Sequence, residues 1–317
     1  METPLTLKTQ RALSILLTEG IPDDLPEETA KYWKDHKNEL HARERELLFA
    51  RVASDNWLGR LIQAENDALR AFFGQTFDLS QFVEMLERFG EDRISQWAMF
   101  GLEPHFLPEW QFKPDAEIRG WKIKPEPWFW QQVAAGNIKH RNAVGELEIV
   151  KEVVFDGTTL LIDTRCKPDY NDGKQMFAKD EPFLGGLIEM LRSDGKIARY
   201  EYGDQSSRFG VSSHEWDEQI RPALEVCPEF DGVTFRLELT IEANSIPQIY
   251  KRMPRKKDGQ TSTWVWYEEF FEDVSARLYG GYSDYGGLAR VWDSCDVGRH
   301  GVYGTVRPVG VLDAQTI

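Results

Sequence analysis

The stretch Thr261–Val309 reads TSTWVWYEEFFEDVSARLYGGYSDYGGLARVWDSCDVGRHGVYGTVRPV, and it decides which fold is predicted. It is rich in glycine, tryptophan and tyrosine and has few of the aliphatic runs typical of a core helix or strand. Because glycine costs chain entropy, this density is typical of backbone that turns sharply or approaches another group closely. Aromatic side chains among such turns indicate a loop-rich surface of the kind that binds ligands.

The composition is typical of a globular protein with room for two structural units. The chain has 317 residues, of which 41% are hydrophobic and 29% charged, and this excludes fibrous and disordered classes. No apolar run is long enough to span a bilayer, and residues 1–20 lack the basic leader and apolar block of a secretion signal. Cys166, Cys227 and Cys295 form no CxxC pair, which favours free thiols in a reducing compartment. We therefore expect a cytoplasmic protein with no membrane partner.

The formal net charge of −15 disfavours nucleic acid as a partner, because most of the surface repels phosphate. One short run of the sequence is positively charged although the chain as a whole is negative. It contains Lys251, Arg252, Arg255, Lys256 and Lys257. Such a run is either a solvated loop or a docking site for an acidic partner.

Residues 1–104 are predicted to form a helical domain without visible chemistry. Apolar residues near a 3.6-residue period indicate a long helix that ends near Gly74, followed by helices over about 79–89 and 92–100. Residues 105–139 are dense in proline and tryptophan, which prevents a long helix and predicts a rigid connector. We expect its tryptophans to be buried by packing; an aromatic ligand cleft is the alternative.

Residues 146–163 alternate between apolar and polar side chains around Asp156-Gly157, which predicts a β-hairpin. Asp156, Asp163 and Arg165 also resemble a degraded nuclease pattern, in which two acids hold a metal ion and a lysine follows. Arginine stays charged and cannot act as a base, and the turn already accounts for Asp156. A metal-dependent nuclease is therefore kept only as an alternative.

Residues 169–180 have spaced acids and a glycine, like a calcium loop that lacks its twelfth-position glutamate. A turn is favoured there; a structural calcium ion is left open, and no other metal or cofactor is expected. Further helices are predicted over 183–192 and from a cap at Ser213 to Pro222. No serine, cysteine or histidine has sequence neighbours that suggest a catalytic triad.

Four motifs follow one another in the C-terminal half: RLELTIEAN at 236–244, TSTWVWYE at 261–268, RLYGGYS at 277–283 with Arg290 beyond it, and GTVR at 304–307. In order and rough spacing they resemble RLPTEAEW, GNVWEW, RVxRGGSW and GFR of formylglycine-generating-enzyme (sulfatase-modifying-factor) domains. These domains have a C-type-lectin-like fold. The resemblance implies an α+β chain, with a helical N-terminal unit and a loop-rich lectin-like domain over 140–317.

The departures from this family bear on activity. Its copper oxidases use a cysteine pair just after the GGS motif, because two thiolates hold copper(I). Here Cys295 is the one cysteine in that region, and the HxxxHxE motif of the iron-dependent relatives is absent from the N-terminal helices. The resemblance therefore implies a domain without the family's oxidase chemistry.

The motifs separate residues that define the fold from residues that contact a ligand. The expected fold-defining residues are Trp264, Trp266, Gly280, Gly281, Arg290 and Arg307. The loops between them hold the expected ligand-binding residues, since tyrosine and tryptophan give large contact area at low entropic cost. These are Tyr282, Asp284, Tyr285, Trp292, Asp293, Asp296 and Tyr303.

The leading hypothesis is a non-catalytic binding protein whose aromatic and acidic loops contact a protein partner; a small-molecule ligand is the second option. The resemblance places such proteins in bacterial or phage conflict systems and among the ligand binders diversified by retroelements. A metal-dependent oxidase of the same superfamily and the nuclease around Asp156 and Asp163 are the enzyme alternatives.

Overall fold

A computed structural model describes residues 57–142, 145–163, 183–250, 264–280 and 304–312. The chain divides into two compact units, Met1–Trp57 and Leu58–Ile317, and the second unit is the one described below. This division differs from the expected boundaries at residues 104 and 139, which stay predictions. The described residues form both helices and largely antiparallel sheets, which confirms the α+β class; the lectin-like fold stays a prediction.

Two helices open the described part. Helix α1 (Trp57–Phe73) ends at Gly74, which has a φ of 80°, so the predicted helix end is confirmed. Helix α2 (Ser80–Met99) contains non-helical Gly90, with φ 76° and ψ 165°. The two helices predicted over 79–89 and 92–100 are therefore the two halves of one kinked element. None of the described helices is both long and apolar enough to cross a membrane.

A four-stranded antiparallel sheet forms the centre of the unit. In the order of pairing its strands are β1 (Leu102–Leu107), β6 (Thr158–Asp163), β11 (Pro308–Leu312) and β7 (Thr234–Leu237). Strand β11 pairs with β6 on one side and with β7 on the other. Helix α2 packs against β1 and β6 through buried apolar residues such as Phe82 and Leu86.

A second sheet has five strands: β3 (Ile138–Arg141), β4 (Leu147–Ile149), β8 (Trp264–Phe271), β9 (Asp273–Gly280) and β10 (Gly304–Val306). Pairing follows the order β10-β8-β3-β4, and β9 also pairs with β8. Strand β10 runs parallel to β8, whereas the other pairs are antiparallel.

A third sheet has two strands, β2 (Trp110–Phe112) and β5 (Val153–Phe155). Gly157 has the positive φ expected for the Asp156-Gly157 turn, but the turn joins β5 to β6, which belongs to another sheet. The hairpin predicted over 146–163 is therefore wrong. Each flanking strand pairs with strands distant in sequence instead: β5 pairs with β2, and β6 pairs with β1 and β11.

The remaining helices are α3 (Pro127–Ala135), α4 (Gly185–Ser193), α5 (Ser213–Glu215), a π-helix (Trp216–Ile220), α6 (Arg221–Glu225), a 3-10 turn (Pro228–Phe230) and α7 (Thr240–Ile249). Helix α4 confirms the helix predicted over 183–192. The cap predicted at Ser213 is one residue off, because Ser212 and Glu215 form a reciprocal capping box. Of the tryptophans in the expected connector, Trp121 is buried and donates to Asn244 of α7.

Candidate binding face

Three strand ends meet at one end of the five-stranded sheet. Trp264 of β8 pairs with Gly304 of β10, and the next residue, Val265, pairs with Gly280 of β9. We call these four residues the sheet end. Residues 251–263 lead into β8 there, and residues 281–303 connect β9 to β10 there. The attachment points of both segments thus lie on adjacent strands, which are about 5 Å apart in a sheet.

A buried ion pair lies where the two larger sheets meet. Arg307 lies between β10 and β11, and its Nη2 donates to Glu238 Oε1 at 2.6 Å. Glu238 follows β7, its N–H donates to the Arg307 carbonyl at 3.3 Å, and its carbonyl accepts from Glu268 N at 3.0 Å. Burial raises the pKa of Glu238 although Arg307 acts against that shift. The pair therefore links β8 to β11 inside the core.

Helix α7 begins against the same region of the sheet. Thr240 donates its backbone N–H to both carboxylate oxygens of Glu269, at 3.0 and 2.9 Å, and its hydroxyl also bonds to Glu269. Glu269 is buried, and burial raises its pKa to about 7. Arg236 makes two bonds to Glu242 at 2.6 and 2.7 Å. These contacts fix the start of α7 relative to β8.

The segment before the π-helix contacts the sheet end from elsewhere in the chain. Gly210 N donates to the Gly304 carbonyl at 3.1 Å, and the Trp266 indole donates to the Val211 carbonyl at 3.2 Å. Arg192 of α4 orders this segment, because its guanidinium donates to four backbone carbonyls: those of Ala198, Gln205, Ser207 and Phe209. The sheet end is thus held by the segment that contains Gly210 and Val211, and Arg192 in turn orders this segment.

Arg277 of β9 is a second buried cation near this segment. Its Nη1 lies 3.2 Å from Asp217 Oδ2 of the π-helix, and its Nη2 lies 3.6 Å from Glu268 Oε1. Its guanidinium carbon lies 4.6 Å from the centre of the Phe270 ring, which adds a cation–π contact. These contacts join the π-helix to the sheet.

Tyr279 lies next to the sheet end, and no sequence pattern indicated it as a site residue. Its ring lies 4.5 Å from that of Trp266, and its hydroxyl lies 2.6 Å from the point that a Cβ on Gly304 would occupy. Gly304 is therefore needed for close packing. Tyr279 is partly exposed, and it pairs with Trp266 of β8, the strand to which β10 also pairs.

The expected ligand-binding residues lie outside the described residues, as do Gly281, Arg290 and the basic run. The ligand-binding residues concerned are Tyr282, Asp284, Tyr285, Trp292, Asp293, Asp296 and Tyr303. The basic run consists of Lys251, Arg252, Arg255, Lys256 and Lys257. Among the other fold-defining residues, Trp264 pairs with β10, Trp266 and Gly280 are buried, and Arg307 makes the pair with Glu238.

The two acids of the nuclease alternative are not brought together. Asp163 is buried and accepts from Arg208 Nη2 at 2.9 Å, whereas Asp156 is exposed and accepts from the Thr158 hydroxyl. Asp163 is the last residue of β6, whereas Asp156 bonds to Thr158, the first residue of β6, and these two strand ends are roughly 16 Å apart at 3.3 Å per strand residue. One metal ion cannot bind both at that separation. Arg165 lies outside the described residues.

Asp156 borders an open groove of about 880 Å³ on the two-stranded sheet. Its lining residues are Glu109, Trp110, Gln111, Glu152, Val154, Phe155 and Asp156. Within the described ranges there is no group of three or more histidine, cysteine, aspartate or glutamate side chains placed to hold a metal ion.

No protein-family model, curated protein or solved structure matches this chain.

Proposed function

We propose that this chain is a non-catalytic binding protein that holds its contact residues at the sheet end. The supporting observation is the register, in which Trp264 pairs with Gly304 and Val265 pairs with Gly280. One rigid sheet end thereby carries the attachments of a basic segment, 251–263, and of an aromatic and acidic segment, 281–303. Binding proteins commonly vary such segments while the scaffold stays constant.

The scaffold supports this proposal through its buried polar contacts. Glu238–Arg307, Thr240–Glu269 and Trp266–Val211 tie the strands of the sheet end to α7 and to the segment before the π-helix. A face fixed in this way loses less conformational entropy when it binds. The expected partner is a protein, which the tyrosines and Trp292 of 281–303 would contact by packing; a small-molecule ligand would use the same residues.

The resemblance to formylglycine-generating-enzyme domains motivates the setting of the proposal. We infer a role in recognition, in a bacterial or phage conflict system or as a retroelement-diversified ligand binder. Cytoplasmic location is part of the same proposal, because free cysteines are typical of reducing compartments.

The proposal is tested with the variant Tyr285→Ala/Trp292→Ala in the full chain. Capture of partners from the native host is measured together with the melting temperature. We expect capture to fall at least tenfold while the melting temperature stays within a few degrees. Tyr202→Ala is the matched control, because Tyr202 is an exposed tyrosine outside the segments 251–263 and 281–303.

Two results would refute the proposal. Elemental analysis that finds stoichiometric copper or iron in the purified chain would favour the oxidase instead. A cooperative loss of structure in the double variant would show that Tyr285 and Trp292 belong to the core.

A further inference from the structure

Within the described part of the chain, three residues beside Arg307, at the junction of the two larger sheets, each have a buried polar atom without a hydrogen-bond partner. The three atoms are Glu238 Oε2, Tyr267 Oη and Thr305 Oγ1. Their residues are 2%, 0% and 0% exposed, so bulk solvent does not reach them. Buried polar groups are almost always hydrogen-bonded, and three exceptions in one region require a physical account.

The strand register brings these three residues to one layer. Thr305 of β10 pairs with Val265 of β8, which is two residues before Tyr267 and therefore projects to the same face of the strand. Arg307 follows Thr305 by two residues and bonds to the other carboxylate oxygen of Glu238. All three orphaned atoms thus belong to residues around the Glu238–Arg307 pair.

The electrostatics of Tyr267 agree with this placement. Burial raises the pKa of Tyr267 well above its usual value; the Arg307 charge opposes the shift and the Glu238 charge adds to it. Both charges act on the Tyr267 hydroxyl, yet neither side chain makes a direct hydrogen bond with it. A bridging water molecule can connect polar groups that do not bond to each other directly.

We propose that Glu238, Tyr267 and Thr305 form a binding site for an internal water molecule. The Tyr267 hydroxyl donates to the water oxygen, and the water donates one hydrogen to Glu238 Oε2 and the other to Thr305 Oγ1. All three orphaned atoms then gain a partner, and the water makes three bonds, which is the usual number for a buried water. The water links β8, β10 and the end of β7, independently of the proposed binding function.

The site is tested first by a crystal structure of the full chain at a resolution that shows ordered water. A water peak within hydrogen-bond distance of at least two of the three atoms is the expected result. Density that shows a direct bond from Tyr267 to Glu238, or no water near either hydroxyl, would overturn the proposal.

A second test uses Tyr267→Phe, Thr305→Val and their double variant, which remove hydroxyls but keep side-chain shape. Each single variant is expected to lower the melting temperature, and the double variant to lower it little further than the more damaging single, because both hydroxyls bind one water. Single variants with an unchanged or raised melting temperature would contradict a shared water. A double variant whose loss in melting temperature equals the sum of the two single losses would also contradict it. Tyr202→Phe at an exposed position is the control.

Discussion

Arg307 Nη2 donates to Glu238 Oε1 across 2.6 Å, and both side chains are buried where the four-stranded and five-stranded sheets meet. Removing one partner of a buried pair leaves the other charge without compensation. We expect Arg307→Met to lower the free energy of unfolding by about 3–5 kcal/mol. Urea denaturation measures the loss.

The double variant Glu238→Leu/Arg307→Met separates charge from packing. If the loss comes from an uncompensated carboxylate, the double variant recovers much of the stability lost in Arg307→Met. Equal losses in both variants would mean that the Arg307 side chain matters through its packing volume instead.

Glu269 makes stability depend on pH in a defined direction. Its pKa is raised to about 7, so the folded state favours the protonated carboxyl. The contribution of the protonated Glu269 to the free energy of unfolding is complete below pH 4.5, the ordinary glutamate pKa. This contribution is lost as the pH rises through about 7. We expect Glu269→Gln to remove on the order of 3 kcal/mol of the stability difference between pH 4 and pH 8.

The measurement is urea denaturation of both proteins at several pH values. Glu84→Gln changes an exposed glutamate of α2 and should leave the pH dependence as it is. A Glu269→Gln protein with the wild-type pH profile would show that another group is responsible.

Asp163 and Asp156 are expected to respond differently to alanine. Asp163→Ala removes the carboxylate that accepts from buried Arg208, and we expect a loss of about 3 kcal/mol. Asp156→Ala removes one exposed turn contact and should cost within about 1 kcal/mol. Thermal denaturation gives both values. Magnesium-dependent DNA cleavage that Asp156→Ala abolishes would contradict a structural role for this turn.

Gly120 is predicted to tolerate no side chain. A Cβ at this position would lie 2.6 Å from the Cα of Phe72, and Gly120 N donates to the Phe72 carbonyl at 2.7 Å. Relief requires a backbone shift of α1, so we expect Gly120→Ala to cost about 2–3 kcal/mol. Gly186 in α4 is the matched site, because a Cβ there meets no atom within 4 Å.

Gly186→Ala should be neutral or stabilise the chain by up to about 1 kcal/mol, since alanine is the better helix former. The difference between the two melting temperatures is the informative quantity. Equal effects at both glycines would show that the contact between Gly120 and α1 is not tight.

Local signals predict local structure well. The end of α1 at Gly74 and the position of α4 follow from helix periodicity and breaker residues, which act within a few positions. The turn at Asp156-Gly157 is predicted correctly. The predicted pairing of its two flanking strands with each other is wrong, because they belong to different sheets. The competing partners of β6 lie in β1 and β11, and β11 is about 150 residues away in sequence, beyond the reach of any local pattern.

The candidate binding face could be predicted only in part. Arg307 is expected from the sequence to fix the fold, and its bond to Glu238 accords with that expectation. The partner itself could not be predicted, because the only unusual feature of Glu238 is that it stands in RLELTIEAN where the family motif RLPTEAEW has proline. Tyr279 and Gly304 become neighbours because β9 and β10 both pair with β8 in a particular register. The identity of the two residues does not predict that register.

The position of β11 has a consequence for synthesis of the chain. Pro308–Leu312 lies between β6 and β7, so the four-stranded sheet stays divided until these residues leave the ribosome. A premature stop codon anywhere before Pro308 would leave β6 and β7 with open edges in the nascent product. Open edges of apolar strands pair with other chains, so such truncated products are expected to aggregate and to be degraded.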